Sequence, residues 1–460
     1  VLQVSVVKRK AFLWITTALA LAAPPAALGL RWRDARRAES HLTRGVEALT
    51  APLERAPTPE SLDWQAAERE LAQVSTLDPG SPMARRAEAL LHVARAYEGL
   101  SRGELVMAQT EATTAARMLP DAALVKLALA IVTLRRGDAP RAERLFDAVD
   151  HSPDAPAALR ARSGVHHADV LLDAGRAHDA LALVEALDRT FSRSAPVANR
   201  VGLVRAAVGD AEGAGAAFER ARSLDPRDPA PVVNLARLAR ARGDSAAARS
   251  LLEQALGIDG QNGEAWLAYG VVLAELGPAQ LSAARAAVLR AARLRPDDAE
   301  PWVAQGDLDL RESQWARAVE SFREALQRNA AHAGARTNLG VALARTGDRA
   351  GAARAFLEAT ERAPNTGAAW NGLGAMRLAS GDAAGAVGPL QQAAALLTDD
   401  PNPTLNLGLA LLRLQRWGDA AQAFRETLRR QPDNQVALSH LLTLQPDPAA
   451  RARVLRLAMR

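Results

Sequence analysis

The chain has 460 residues, 48% hydrophobic, 24% charged and 4% aromatic, a globular composition that excludes a disordered polymer. It has no cysteine, which excludes disulfides, thiolate metal sites, iron–sulfur clusters and cysteine nucleophiles. Its net charge of +5 does not indicate nucleic acid: residues 1–37 hold seven basic residues and one acid, while the other 423 carry 50 basic and 51 acidic residues, and a nucleic-acid binder needs positive charge on its folded part.

Residues 1–10 form a short basic tail ending in Lys8, Arg9 and Lys10. Residues 11–30 (AFLWITTALALAAPPAALGL) carry no charge. As a helix, a stretch of this length spans about 30 Å, the thickness of a bilayer's hydrocarbon core. Basic clusters flank it, with Trp14 and Trp32 at its boundaries. Two readings stay open: one N-terminal transmembrane helix, which is preferred, or a signal segment with Ala27 and Gly29 placed for cleavage before Leu30. Pro24-Pro25 would kink an anchor and equally suits the end of a signal's apolar region. A short basic leader before an apolar run stays in the cytoplasm, so the body of the chain is expected outside it. The 54 arginines against three lysines fit a GC-rich bacterial genome. The expected location is therefore a bacterial inner membrane with the array in the periplasm, or the periplasm itself after cleavage.

Residues 31–87 read as a linker and an irregular first repeat. Ala67, Leu71 and Pro79 fit its second helix, and Ala56-Pro57-Thr58-Pro59 reads as an interrupting loop.

Over residues 88–434 the chain repeats with a period of 34. Gly306, Gly340, Gly374 and Gly408 mark it, and backwards the same slot holds Gly270, Ala236, Gly202, Ala168, Ala130 and Ala96. Twelve residues on lies an alanine slot, as in Ala318, Ala352, Ala386 and Ala420. Four further, Phe146, Phe218, Phe322, Phe356 and Phe424 share a slot. Trp266, Trp302 and Trp370 precede the glycine by four, and Pro120, Pro226, Pro296, Pro364 and Pro432 close repeats. With 104 alanines and few β-formers, each period reads as a helix, a turn such as Gly347-Asp348, and a second helix. One such hairpin cannot bury its own apolar face, so stacking is obligatory.

This W-L-G…A…F…A…P pattern resembles the tetratricopeptide repeat family. The resemblance covers three quarters of the chain and implies an all-α, right-handed α-solenoid of about ten to eleven stacked helix–turn–helix units. Residues 435–460 would supply capping helices, separated at Pro446-Asp447-Pro448. The Trp slot departs from the pattern at Lys126, Val232 and Arg336, and the closing proline at Ala330 and Thr398.

Nothing outside the repeats is large enough for a catalytic domain, and nucleophile-elbow, P-loop, zinc-protease and dinucleotide motifs are missing from the sequence. The chain is therefore read as no enzyme, with no cofactor, no metal and no small-molecule substrate. The adjacent His166 and His167 point about 100° apart on a helix and chelate poorly; they read as solvated. Asp307 and Asp309 face different directions and do not read as an acid–base pair.

The first helices of such an array line a concave face suited to a protein or peptide partner. Two residues before the small slot stand Asn234, Asn338 and Asn406, with Asn371 one position off. An amide donates and accepts, so a row of them can satisfy an extended peptide's backbone; the resemblance implies that role here. Arg237, Arg240, Arg311, Arg345 and Arg413 follow on the same helices, where they could pair with acidic groups. The expected function is a membrane-tethered scaffold or adaptor, in envelope assembly or secretion. The alternative is a substrate-recruiting subunit of a transferase whose catalytic part is another chain.

Overall fold

The computed structural model describes residues 25–50, 62–153 and 155–444. Among them stand 23 α-helices, one 3-10 turn (Pro278–Gln280) and no strand, so the all-helical repeat solenoid expected from the periodicity is the fold. Residues 11–24 of the expected membrane segment, the loop at 56–59 and the chain from 445 onward lie outside the described residues. No helix of the described residues is long and apolar enough to cross a membrane.

The chain divides into two compact units, residues 1–238 and 239–460. The first holds α1 (Pro25–Leu49), α2 (Trp64–Leu77), α3 (Pro82–Ser101), α4 (Leu105–Met118), α5 (Ala123–Arg135), α6 (Ala139–Asp150), α7 (Ala157–Asp173), α8 (Ala177–Thr190), α9 (Ala195–Ala207) and α10 (Ala211–Leu224). The division falls within α11 (Ala230–Ala241). The second unit holds α12 (Ser245–Ile258), α13 (Gly263–Glu275), α14 (Leu281–Leu294), α15 (Glu300–Arg311), α16 (Trp315–Arg328), α17 (Ala333–Thr346) and α18 (Arg349–Arg362). It continues with α19 (Gly367–Ala379), α20 (Ala383–Leu396), α21 (Asn402–Arg413), α22 (Trp417–Arg430) and α23 (Gln435–Leu444). Odd-numbered helices are the first members of hairpins. The opening hairpin, α1 with α2, begins at Pro25 and packs on α3, so repeat packing already covers the stretch read as linker and irregular unit.

The turns explain the punctuation. In the Gly-Asp pairs the glycine takes a left-handed φ, 91° at Gly347, and Asp348 then caps the next helix, its carboxylate accepting from the Gly351 N–H at 2.8 Å. Two repeats place Ser313 (φ 59°) and Gln415 (φ 58°) in that left-handed position instead. Several second helices end on a residue with an extended φ, as Ala363 is at −136° before Pro364 and Asn329 at −134° before Ala330, so the ending does not depend on the proline, which where present reinforces it.

The small slot and the phenylalanine slot turn out to be partners. A Cβ on Gly306 would stand 2.6 Å from the Phe322 ring; on Gly340, 2.8 Å from Phe356; on Gly408, 2.6 Å from Phe424. Glycine lets the first helix ride directly on the ring of its own second helix, sixteen residues on. The next hairpin closes the other side, where Gly372 faces Phe356 equally closely. Within each unit, first helices of successive hairpins also touch each other, as α13 touches α15 and α19 touches α21. Packing between successive second helices is absent or marginal among the described residues.

One seam is polar. Asp309 on α15 is 1% exposed and accepts from Arg285 on α14 at 2.8 Å and from the Ser321 hydroxyl at 3.0 Å. Arg285 also reaches Glu312 at 2.5 Å. Asp307 points elsewhere, toward Asn338. The histidines differ from the solvated reading. His167 is buried, with Nδ1 2.9 Å from Asp150. The His166 ring stacks on Phe146 with centroids 6.1 Å apart, and its Nε2 is buried without a hydrogen-bond partner. Burial, and then the neighbouring Arg200, Arg162 and Arg135 charges, push its pKa down to about 3. The reason is register: His166 falls two residues before the small slot, on the face where first helices meet.

Candidate peptide-binding surface

The candidate residues fall in both units: Asn234 and Arg237 in the first, Arg240, Asn338, Arg345, Asn371, Asn406 and Arg413 in the second. Each asparagine belongs to a hydrogen-bonded ladder between neighbouring first helices. In the first unit the Asn234 amide donates to Asn199 Oδ1 at 2.9 Å. In the second, Asn406 donates to Asn371 Oδ1 at 3.1 Å and Asn338 to Asp307 Oδ1 at 2.8 Å. Arg200 donates to Asp169 in the same way as Asn338 does to Asp307.

The rule is simple. In four repeats the residue two before the small slot (Arg200, Asn234, Asn338 or Asn406) donates backward, either to the residue three before that slot in the previous repeat or to the one just after it. Asn371 is therefore the acceptor of Asn406 and not a displaced member of the donor row. Asn234 is only 5% exposed, and its Oδ1 already accepts from Arg237 at 3.2 Å. Asn338, Asn371 and Asn406 are half-buried. Burial raises the pKa of Asp307 above the ordinary carboxylate value, while the Asn338 amide and Arg311 oppose the rise. Asp169 is raised by burial too, against the pull of Arg200.

The arginines act mostly as staples. Arg413 Nη1 donates to Leu378 O at 2.5 Å, and Arg311 Nη1 to Ala274 O at 2.8 Å. Each thereby caps a carbonyl at the C-terminal end of the previous first helix, where a cation is favoured. Arg240 pairs with Glu275 at 2.8 Å, and Arg345 lies over the Trp315 ring at 5.4 Å. All four arginines remain exposed at the surface.

Where the donor slot holds alanine the ladder lapses, and there the second unit has an apolar notch. Ala304 stands in that slot, and a notch of about 270 Å³ opens between α13 and α15. Leu267, Val271 and Val303 line it, with Glu300 and Asp307 on its rim beside Arg240 and Arg311. Sequence reasoning found the asparagine donors but not Arg200, nor Asn199, Asp169 or Asp307 as acceptors, nor the notch. The available signal was spacing: acceptor and donor are 35 residues apart in Asn199/Asn234 and Asn371/Asn406, and 31 apart in Asp169/Arg200 and Asp307/Asn338. Among the described residues no group of three or more potential ligands is arranged to hold a metal.

Family models described as tetratricopeptide repeat match residues 233–300, 309–376 and 404–441. The matches support the tetratricopeptide repeat family. No curated protein matches the chain. Among solved structures, it is similar to a chain of the APC/C hetero-tetramer Cut9–Hcn1, at 15% identity and a TM-score of 0.43, over 85% of this chain and 95% of that one. It is also similar to the MamA protein, at 19% identity and a TM-score of 0.32, over 38% of this chain and 94% of that one. Tetratricopeptide repeats suggest a protein-interaction scaffold, and proteins built from them are generally non-catalytic.

Proposed function

We propose that this protein is a non-enzymatic scaffold, tethered to a bacterial inner membrane through residues 11–30, that holds a protein or peptide partner on its first-helix surface in the periplasm. The observation that carries the reading is the α13/α15 notch beside the Asp307–Asn338 rung. An apolar recess of about 270 Å³ accepts one side chain, while the polar rung next to it can meet a peptide backbone. Asn338, Asn371 and Asn406 are the leading contact residues. Arg240, Arg345 and Arg413 frame them with positive charge; Asn234 and Arg237 form a separate candidate pair in the first unit.

The test is crosslinking of the full chain in cells followed by identification of what co-purifies. Ala304→Arg fills the notch, and Asn406→Ala removes a ladder amide. Loss of one set of partners in Ala304→Arg, with helicity retained, is the expected result. Undiminished recovery of every partner in both variants would remove the first-helix surface from consideration. A periplasmic reporter fused after residue 460 tests the topology: activity of a reporter that works only in the cytoplasm would reverse it.

A further inference from the structure

The second unit has another recess, on the opposite side of its hairpins from the first-helix surface. Because second helices barely pack on one another, α20 and α22 stand apart, and a cleft of about 750 Å³ runs between them. Its floor is apolar: Leu407 and Leu411 on α21, Ala394 and Ala395 on α20, Ala423 on α22. Arg416, Arg425, Arg429 and Arg430 line it too, against two acids, Asp419 and Glu426.

The first unit contains the same cleft in another repeat, and the comparison is informative. Between α6 and α8 the corresponding positions carry Asp150, His151 and His167 where α20 and α21 have Ala394, Ala395 and Leu407. That cleft is lined by four acids (Glu143, Asp147, Asp150 and Asp179) against two arginines (Arg144 and Arg176), so it has no positive excess: His167 pairs with Asp150 at 2.9 Å, and Arg176 bridges Glu143 at 2.6 Å and Asp179 at 2.7 Å. In the second unit the internal pairs leave a surplus. Arg416 holds Asp419 at 2.7 Å, while Arg429 and Arg430 both hold Glu426, at 2.6 and 2.9 Å. Arg430 is tied further to the carbonyls of Leu397 and Asp400. Arg425 is exposed and has no acid or hydrogen-bond partner among the described residues. Its counterpart in the first unit is an acid, Glu185, which pairs with Arg205.

We propose that the α20/α22 cleft is a second docking site, for an acidic amphipathic segment of a protein partner. The segment's apolar side chains would lie on Leu407, Leu411 and Ala395, and its carboxylates would meet Arg425 and Arg429 at the rim. Charge complementarity selects this occupant. Both acids in the cleft are already neutralised by arginine, so the rim presents net positive charge over an apolar floor. This inference is independent of the first-helix reading.

The probe is a fluorescein-labelled 14-residue helical peptide with leucine on one face and glutamate on the other, titrated against the full chain in mild detergent and followed by anisotropy. A matched peptide with lysine for glutamate is the control. Arg425→Glu should weaken the glutamate peptide about tenfold, as reversal of an exposed interfacial charge does. Ala395→Trp, which fills the floor, should weaken it comparably. The lysine peptide should bind at least tenfold more weakly than the glutamate peptide, and Ala304→Arg should leave binding unchanged. Arg425 is exposed and has no partner among the described residues, so its variant carries the test even if Ala395→Trp perturbs folding. Equal binding of both peptides, or insensitivity to Arg425→Glu, overturns the proposal. So does tighter, Arg425-dependent binding of a single-stranded deoxythymidine oligomer, which would assign the rim to phosphate.

Discussion

At the scale of the residue, the repeats with glycine in the small slot rest on a contact between something missing and something large. Gly408 gives up helix propensity so that the fully buried Phe424 ring can lie against its backbone. Gly408→Ala gains about 0.5–1 kcal/mol of helix propensity but puts a Cβ 2.6 Å from a ring with no room to retreat. Overpacking of that kind costs about 1–3 kcal/mol and wins, so the urea midpoint should fall. Gly257, whose Cβ would meet nothing within 4 Å, supplies the contrast: Gly257→Ala should raise the midpoint. Gln415→Gly should also stabilise, by about 0.5–1 kcal/mol, because a left-handed φ of 58° penalises any residue with a Cβ. The glycine and phenylalanine slots were each legible in the sequence. Their contact was not, because the period says which positions are equivalent and not which face one another. The asparagines illustrate the same limit. Their donors fall in one slot, but their acceptors Asn199, Asp307 and Asn371 occupy two, so no single column of the repeat reveals the ladder.

At the scale of the element, polar seams between helices decide the response to mutation and pH. Arg285→Leu would leave the Asp309 carboxylate buried with only the Ser321 hydroxyl, the Gln305 amide at 3.4 Å and, at 3.8 Å, Arg317. Removing one member of a buried pair costs about 3 kcal/mol, read from chemical denaturation. Adding Asp309→Leu should recover most of the loss, because no charge is then stranded. On α7, His166 works in the opposite sense to a paired histidine. The unfolded chain binds a proton there below about pH 6.5, while the folded chain refuses it until about pH 3. Its contribution is therefore fully present above pH 6.5 and is lost as the pH falls toward 3. Between pH 7 and pH 5 the drop should be about 1–2 kcal/mol, and His166→Gln should flatten it in the same window. The helix itself was legible from the period. The fate of its histidines was not, since burial at that slot depends on how closely neighbouring first helices approach.

At the scale of the molecule, connectivity is local. Within each unit, among the described residues, a helix packs on its own partner and on the adjoining hairpins, with no substantial contact farther along the chain. Stability is then close to a sum of hairpin and interface contributions, with no single core that all parts share. That architecture was the most legible feature of all, because ten units in register leave little else for the apolar faces to do. The same locality made the function the least legible, since a surface built by repetition carries its specificity where repetition lapses: at Ala304 in the ladder and at Arg425 on the rim. A local perturbation should accordingly stay local. Gly408→Ala, which strains the α21/α22 hairpin, should speed amide hydrogen exchange from α19 to α22 and leave α3 to α6 at the wild-type rate. Peptide-resolved exchange by mass spectrometry reads both segments in one experiment. Equal loss of protection in α3 to α6 would mean that the chain unfolds as one cooperative body and would overturn the local reading.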